Sequence, residues 1–229
     1  MLEVRSIDVF YGQAKVLHDV SVRLARGEMV FMVGRNGAGK TTLLKTIAAF
    51  LRPRKGQITL EGQSIVGLRP DEVARWGVRF VAQDKKVFSN LTVKDNLELA
   101  AHAANRDLNE AVEQLLSLYP KFEKFLPKRA GSLSGGQREI LLIGRALVGK
   151  PKLLLVDEPT EGLAAVVIDD IFRILSGMKE TVSAVIVEQN LSVVSRLADR
   201  IYIMKEGKID REVTETAEIQ DTAQLECHL

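Results

Sequence analysis

The chain has 229 residues, of which 46% are apolar and 27% charged, and a formal net charge of +2. These values exclude a collagenous, coiled-coil or wholly disordered chain and leave enough apolar material for one large core, with or without an inserted lobe. The longest unbroken apolar run, LAAVVI at 163–168, falls far short of the roughly 20 residues a membrane-crossing helix needs, so any membrane role would fall to another chain. The small net charge argues against a dedicated nucleic-acid surface. The one cysteine, Cys227, has no internal disulfide partner, which fits a reducing compartment.

From the N-terminus, LEVRSIDVFYG and AKVLHDVSVRL alternate apolar and polar residues as half-buried strands do. Acids fall early, so this end reads as strand and not as a secretory leader, which places the chain in the cytoplasm. A turn at ARGE leads to a third strand, MVFMVG, and then to GRNGAGKTT. A helix is expected from Gly39 to about Leu51, stopped by Pro53 and Gly56 with cations at its C-terminal end. QITLEG reads as a strand, DEVARWG as a short helix, and VRFVAQ as a strand ending at Gln83.

The pattern changes between about Leu91 and Val148. DNLELAAHAA, LNEAVEQLLSLY and REILLIGRALVG place apolar residues at helical spacing, predicting a helical lobe inserted into a sheet domain. KLLLVDEP then reads as a central parallel strand, followed by a helix from about Val166 to Met178 and the strand SAVIVEQ. IYIMKEGKIDREV reads as a closing hairpin with Gly207 in its turn, and a polar, mildly acidic tail follows. The expected class is α/β: a mixed, mainly parallel sheet core with an N-terminal antiparallel β subdomain at 1–90 and 149–229, and a helical subdomain at 91–148.

Gly34, Gly39, Lys40 and Thr41 satisfy G-x-x-x-x-G-K-[ST] with a strand before and a helix after. In a chain of this length the pattern arises by accident on the order of one time in a hundred. The glycines let backbone N–H groups of Gly34 to Thr42, those of Asn36, Gly37 and Ala38 among them, turn inward on an anion. The helix start adds its positive dipole end, Lys40 reaches β and γ phosphate oxygens, and the Thr41 hydroxyl can ligate Mg²⁺. A simple glycine-rich helix cap needs neither this spacing nor the Lys–Thr pair. The core is thus expected to be of the P-loop NTPase type.

Asp157 and Glu158 close an apolar strand, where the strand's carboxyl end faces the ligand crevice of an open α/β sheet. The assignment is Asp157 to Mg²⁺ and Glu158 to the proton of an attacking water. Two acids neutralised by nearby lysines would be the plainer alternative. A second helix start fit for an anion follows Leu133, where Ser134, Gly135, Gly136 and Gln137 precede a strongly amphipathic helix. A serine cap explains Ser134 but not both glycines followed by glutamine.

With GRNGAGKTT, Gln83, LSGGQ and LLLVDEP in this order, the chain resembles the nucleotide-binding subunit of ATP-binding cassette (ABC) transporters over essentially its whole length. The resemblance implies a homodimer, or a heterodimer with a related ABC ATPase, that holds two ATP molecules, each between one protomer's phosphate loop and the other's LSGGQ turn. Ser134 and Gly136 would then touch the γ-phosphate across the interface. By the same resemblance Tyr11 stacks on adenine or else covers a sheet edge. Gln83 senses Mg²⁺ and the water, or else is an ordinary polar strand end. DKKVFSNLTV is similar to the segment beside which a membrane partner docks, with Lys85 and Lys86 either part of that contact or simply solvated. The implied partners are transmembrane permease subunits and a separate solute-binding protein, with no nucleic acid, and the implied place is the inner face of the cell membrane.

Two segments depart from the family pattern. Gln189 stands where relatives carry a histidine that contacts γ-phosphate, and Ala164 stands where many carry aspartate. Glutamine donates a hydrogen bond but cannot become a cation, so it offers position with less charge stabilisation. Both VEQN and EGLA resemble the second ATPase subunit of branched-chain amino-acid importers and their urea or amide relatives. The alternatives are a soluble ABC ATPase acting on ribosomes or DNA, and a non-hydrolysing regulatory subunit.

Overall fold

The computed structural model describes residues 1–84, 86–179 and 181–228; Lys85, part of the docking segment read from the sequence, lies outside the described residues. Chain order begins with β1 (Leu2–Tyr11), β2 (Ala14–Leu24), β3 (Met29–Val33), α1 (Lys40–Ile47), β4 (Lys55–Leu60), β5 (Gln63–Ser64), α2 (Pro70–Arg75) and β6 (Val78–Val81). Helices α3 (Val93–Ala103), α4 (Leu108–Leu118) and α5 (Gly135–Leu147) follow, with 3-10 turns at Pro120–Phe125 and Ala130–Ser132 between the last two. The chain closes with β7 (Leu153–Asp157), α6 (Ala165–Met178), β8 (Ser183–Val187), α7 (Leu191–Leu197), β9 (Arg200–Lys205), β10 (Lys208–Val213), α8 (Thr216–Gln220) and α9 (Thr222–Cys227).

Two sheets result. The smaller has order β2-β1-β4-β5 and is antiparallel throughout. The larger has order β10-β9-β3-β8-β7-β6, and only β10 runs antiparallel to its neighbour. Strands β3, β7 and β8 are buried at every residue, which is why they read as unbroken apolar runs: both faces of the sheet are covered.

One face, including Val30, Met32, Leu153, Leu155, Val185 and Val187, packs with α1 and the antiparallel sheet. The other, including Phe31, Leu154, Val156 and Ile186, packs with helices α3 to α7 in a single apolar cluster. Two polar anchors fasten the helical block. The Tyr119 hydroxyl donates to buried Asp170 on α6 at 2.8 Å, and Lys121 Nζ donates to the same carboxylate at 3.0 Å. Asn96, wholly buried, accepts from Phe88 N at 3.0 Å and donates to Phe88 O and Thr92 O at 3.1 and 2.9 Å, pinning the approach to α3.

Three local expectations shift. Helix α1 ends at Ile47 and not near Leu51, because Ala49 takes a left-handed conformation (φ 63) and the Phe50 N–H closes back on Lys45 O at 2.8 Å. The stop is thus a left-handed C-terminal turn, upstream of Pro53. Helix α7 follows Gln189, capped by the Asn190 side chain, which accepts from Ser192 N at 3.1 Å. The tail forms α8 and α9, which bury Ile219 and Leu225.

Candidate active site

Parallel strands β3, β8, β7 and β6 lie side by side, and each delivers its candidate residues at its carboxyl end. The phosphate loop follows β3, Gln189 follows β8, Asp157 and Glu158 end β7, and Gln83 follows β6. Residues far apart in sequence therefore meet in one crevice, where open α/β sheets bind ligands. A cleft of about 380 Å³ is lined by Val16, the loop residues 36–42, Gln83, Glu158 and Glu161.

The loop is shaped by backbone constraint. Gly39 caps α1 in a left-handed conformation (φ 102), and a Cβ there would lie 2.7 Å from Leu17 Cδ2, so β2 forms the wall behind the helix start. Ala38 is tied to the β9–β10 turn by Gly207 N, which donates to Ala38 O at 3.0 Å. Lys40 is buried and its Nζ donates to the carbonyls of Gly34 at 2.6 Å and Arg35 at 3.0 Å. Burial draws its ammonium below the ordinary lysine value, while Glu158 and Asp157 push it up. Thr42 is buried, and its carbonyl accepts from Thr46.

The two acids have different surroundings. Asp157 is buried and accepts from the Thr41 hydroxyl at 3.1 Å. Burial pushes its carboxyl up from the ordinary aspartate value, against the hydrogen bond from Thr41. Glu158 has φ 50, and both of its oxygens accept from glutamine amides: Oε2 from Gln83 Nε2 at 3.0 Å and Oε1 from Gln189 Nε2 at 2.8 Å. Each amide makes a second bond, Gln83 to Glu161 at 2.7 Å and Gln189 to Asn36 at 2.9 Å. A chain of hydrogen bonds therefore runs from Asn36 in the phosphate loop through Gln189, Glu158 and Gln83 to Glu161.

Tyr11 is 47% exposed at the end of β1 and does not line the cleft, whereas Val16 does. Ser134, Gly135 and Gly136 also stand outside it, at the start of α5. Ser134 forms a reciprocal cap with Gln137: its Oγ accepts from Gln137 N at 3.3 Å, and its N–H donates to Gln137 Oε1 at 3.1 Å. Gly136 is buried against α6, where a Cβ would lie 2.4 Å from Val167 Cγ1, while Gly135 is open.

Sequence reasoning missed Glu161 and Glu188. The former follows Glu158 by three residues within a tight turn, closed by Glu161 N donating to Glu158 O at 3.3 Å. Glu188 is buried, its carboxyl pushed up by burial, and it accepts from the N–H groups of Gln189 at 2.8 Å and Asn190 at 2.9 Å. It thereby fixes the backbone that aims Gln189. The signal was an acid directly beside Gln189 on an otherwise apolar strand.

The ABC transporter family model matches residues 17–161. The chain is 40% identical over 211 residues to a high-affinity branched-chain amino acid transport ATP-binding protein of Pseudomonas aeruginosa, covering 91% of each. Its structure resembles a nucleotide-free ATP-binding cassette from an ABC transporter, with a TM-score of 0.85, 28% identity and coverage of 100% of this chain and 98% of that one. It also resembles a dimeric cassette in a post-hydrolysis state bound to ADP and Pi, with a TM-score of 0.83, 25% identity and coverage of 93% and 98%. A phosphate loop, paired acids and two glutamines on adjoining strand ends, within a match of this extent, lead to one conclusion: the chain belongs to the ABC transporter family, as an ATP-binding, ATP-hydrolysing subunit.

Proposed function

We propose that this chain powers a membrane importer of branched-chain amino acids, with urea or a short amide as the second candidate solute. The observation that carries the hydrolytic role is the seat of Glu158, held at both oxygens by glutamine amides at the mouth of the phosphate loop. The solute class is supported by likeness to the Pseudomonas protein across nine tenths of both chains.

In this reading Lys40 exchanges its bonds to Gly34 and Arg35 for β and γ oxygens of ATP, and the N–H groups at the start of α1 turn on the same phosphates. Gln83 and Gln189 hold Glu158 so that it can take a proton from the attacking water. Tyr11, exposed at its strand end, stacks on adenine. The Thr41 hydroxyl and the Asp157 carboxylate fit Mg²⁺: they are hard oxygen donors 3.1 Å apart, and a buried carboxylate gains from a cation. Gln83 is the third candidate for that ion's surroundings. Mg²⁺ held by Thr41 and Asp157 would supply charge neutralisation to the phosphates.

Ser134, Gly135 and Gly136 lie outside their own chain's cleft, and in this reading a second cassette, identical or related, brings that helix start to the phosphates. Residues 91–148 act as the helical subdomain, and 1–90 with 149–229 as the nucleotide-binding core. Among the described residues no helix is long and apolar enough to cross a membrane. The subunit works on the cytoplasmic face, held there by transmembrane permease subunits that receive solute from a separate binding protein.

The test is co-purification from membranes followed by reconstitution in vesicles with the permease and binding protein. Phosphate release stimulated by leucine, isoleucine or valine is expected. Stimulation by urea or short amides alone would move the solute to the second candidate, and retention on ribosomes or DNA without membrane subunits would overturn the reading. Equal phosphate release by the wild type and Glu158→Gln, with ATP still bound, would make this a binding-only subunit.

A further inference from the structure

The amide of Gln83 is held between two acids. Its Nε2 donates to Glu158 Oε2 at 3.0 Å and, more closely, to Glu161 Oε2 at 2.7 Å. Two features of the fold produce this. Strand β6 runs parallel beside β7 and pairs Val81 with Val156, so Gln83 and Glu158 emerge side by side just past their strands. The chain after Glu158 then turns tightly: the Glu161 N–H donates to Glu158 O at 3.3 Å and the Leu163 N–H to Thr160 O at 3.2 Å. Thr160 is buried by the turn, while Glu161 is exposed and returns a second carboxylate to the cleft that Thr41, Gln83 and Glu158 line.

An ionised carboxylate only accepts hydrogen bonds, so an amide wedged between two of them must turn its nitrogen to both. Both hydrogens of Gln83 Nε2 are thereby committed, and the carbonyl oxygen is the amide's remaining group. That oxygen is a hard donor of the kind Mg²⁺ takes, whereas the reversed amide would offer hydrogens, which a cation repels. Glu158 imposes this orientation only while it is ionised. Once it takes a proton from water, its carboxyl can donate as well as accept, and its hold on the amide nitrogen lapses. Glu161 takes no proton in that scheme and goes on accepting.

We infer that Glu161 is a positioning residue for Mg²⁺, fixing the Gln83 amide with its oxygen left for the ion whatever the protonation of Glu158. This rests on the assignment of Mg²⁺ to Thr41, Asp157 and Gln83, and adds to it a second acid three residues beyond Glu158.

The test reads metal binding apart from turnover. Mn²⁺ is titrated against the isolated subunit saturated with the β,γ-imido analogue of ATP and followed by electron paramagnetic resonance. Glu161→Ala is expected to weaken Mn²⁺ binding about tenfold, the lower end of what losing a residue behind a metal ligand costs. In steady state the half-saturating Mg²⁺ concentration should rise by the same factor, with kcat at saturating Mg²⁺ falling less than about threefold. Glu161→Gln keeps the size and one acceptor but can present a donor as well, so it is expected to track the alanine variant. Glu161 is exposed on a turn, and equal thermal midpoints would check that both variants fold. Wild-type Mn²⁺ affinity in Glu161→Ala, or full recovery in Glu161→Gln, would overturn the inference. A wild type that binds no Mn²⁺ beside the analogue would instead remove the ion assignment on which it rests.

Discussion

Gln189 and Glu158 are separated by 31 residues in the chain and by 2.8 Å in space, from amide Nε2 to carboxylate Oε1. The same amide reaches Asn36 of the phosphate loop at 2.9 Å. A neutral donor thus joins the carboxylate proposed to accept the proton to the loop proposed to hold the phosphates. Gln189→Ala is expected to lower steady-state ATP turnover about tenfold to a hundredfold, with ATP affinity nearly unchanged. Gln189→His should add a titrating limb near pH ~6.5 to the rate profile. Unaltered turnover in the alanine variant would remove Gln189 from the mechanism.

Asp157 illustrates a trade of stability for binding. Its carboxyl is raised by burial above the ordinary 3.8, so between that value and the raised one the folded chain holds more protons than the unfolded chain. Stability then falls as pH rises through this window, and at neutral pH the ionised group is a net cost. Asp157→Asn keeps an acceptor for Thr41 and should raise the Tm by about 2–4 °C without nucleotide. It should also lose the added stabilisation given by Mg²⁺ with ATP. Thermal scans that find a lower Tm would contradict this account.

Gly136 serves packing as well as any phosphate contact. Gly136→Ala should cost about 1–3 kcal/mol, because its Cβ would press on Val167. Pairing it with Val167→Ala relieves that pressure, and denaturant titrations should show most of the loss recovered. If phosphate release stays low in the stable double variant, backbone approach to ligand is the second reason for glycine. Full recovery of activity would leave packing as the only one.

Glu158→Gln should bind ATP, stop turning over and accumulate as a closed pair, visible as a doubled mass by light scattering. Ser134→Arg should spare ATP binding and block hydrolysis, since Ser134 would act in the partner's cleft. A strictly monomeric Glu158→Gln profile with saturating ATP, or a fully active Ser134→Arg, would count against the shared site.

Much of this was legible because the signals are local. The phosphate loop, the strand before it and the helix after it occupy one short stretch. The fully apolar strands β3, β7 and β8 announce burial on both faces. Helix α7 was not legible, since LSVVSRL spans only two turns and follows its strand directly. The tail read as polar because its helices each bury few apolar side chains and lean on ion pairs: Arg211 donates to Glu218 at 2.9 Å and contacts His228 Nε2 at 2.9 Å. Least visible was the pairing of Gln83 with Glu158 across 75 residues. Only the sheet order, which sets β6 beside β7, brings them together.

The positive φ at Glu158 decides how the two consecutive acids are used. Continued strand geometry would send neighbouring side chains to opposite sides of the sheet, leaving one carboxylate in the core. Breaking that alternation at a single residue lets Asp157 turn to the helix-start hydroxyl and Glu158 to the open mouth, so that in the proposed reading both serve one ligand from different angles. The left-handed dihedral, uncommon for a side chain of this size, is thus the hinge on which a division of labour between adjacent carboxylates depends.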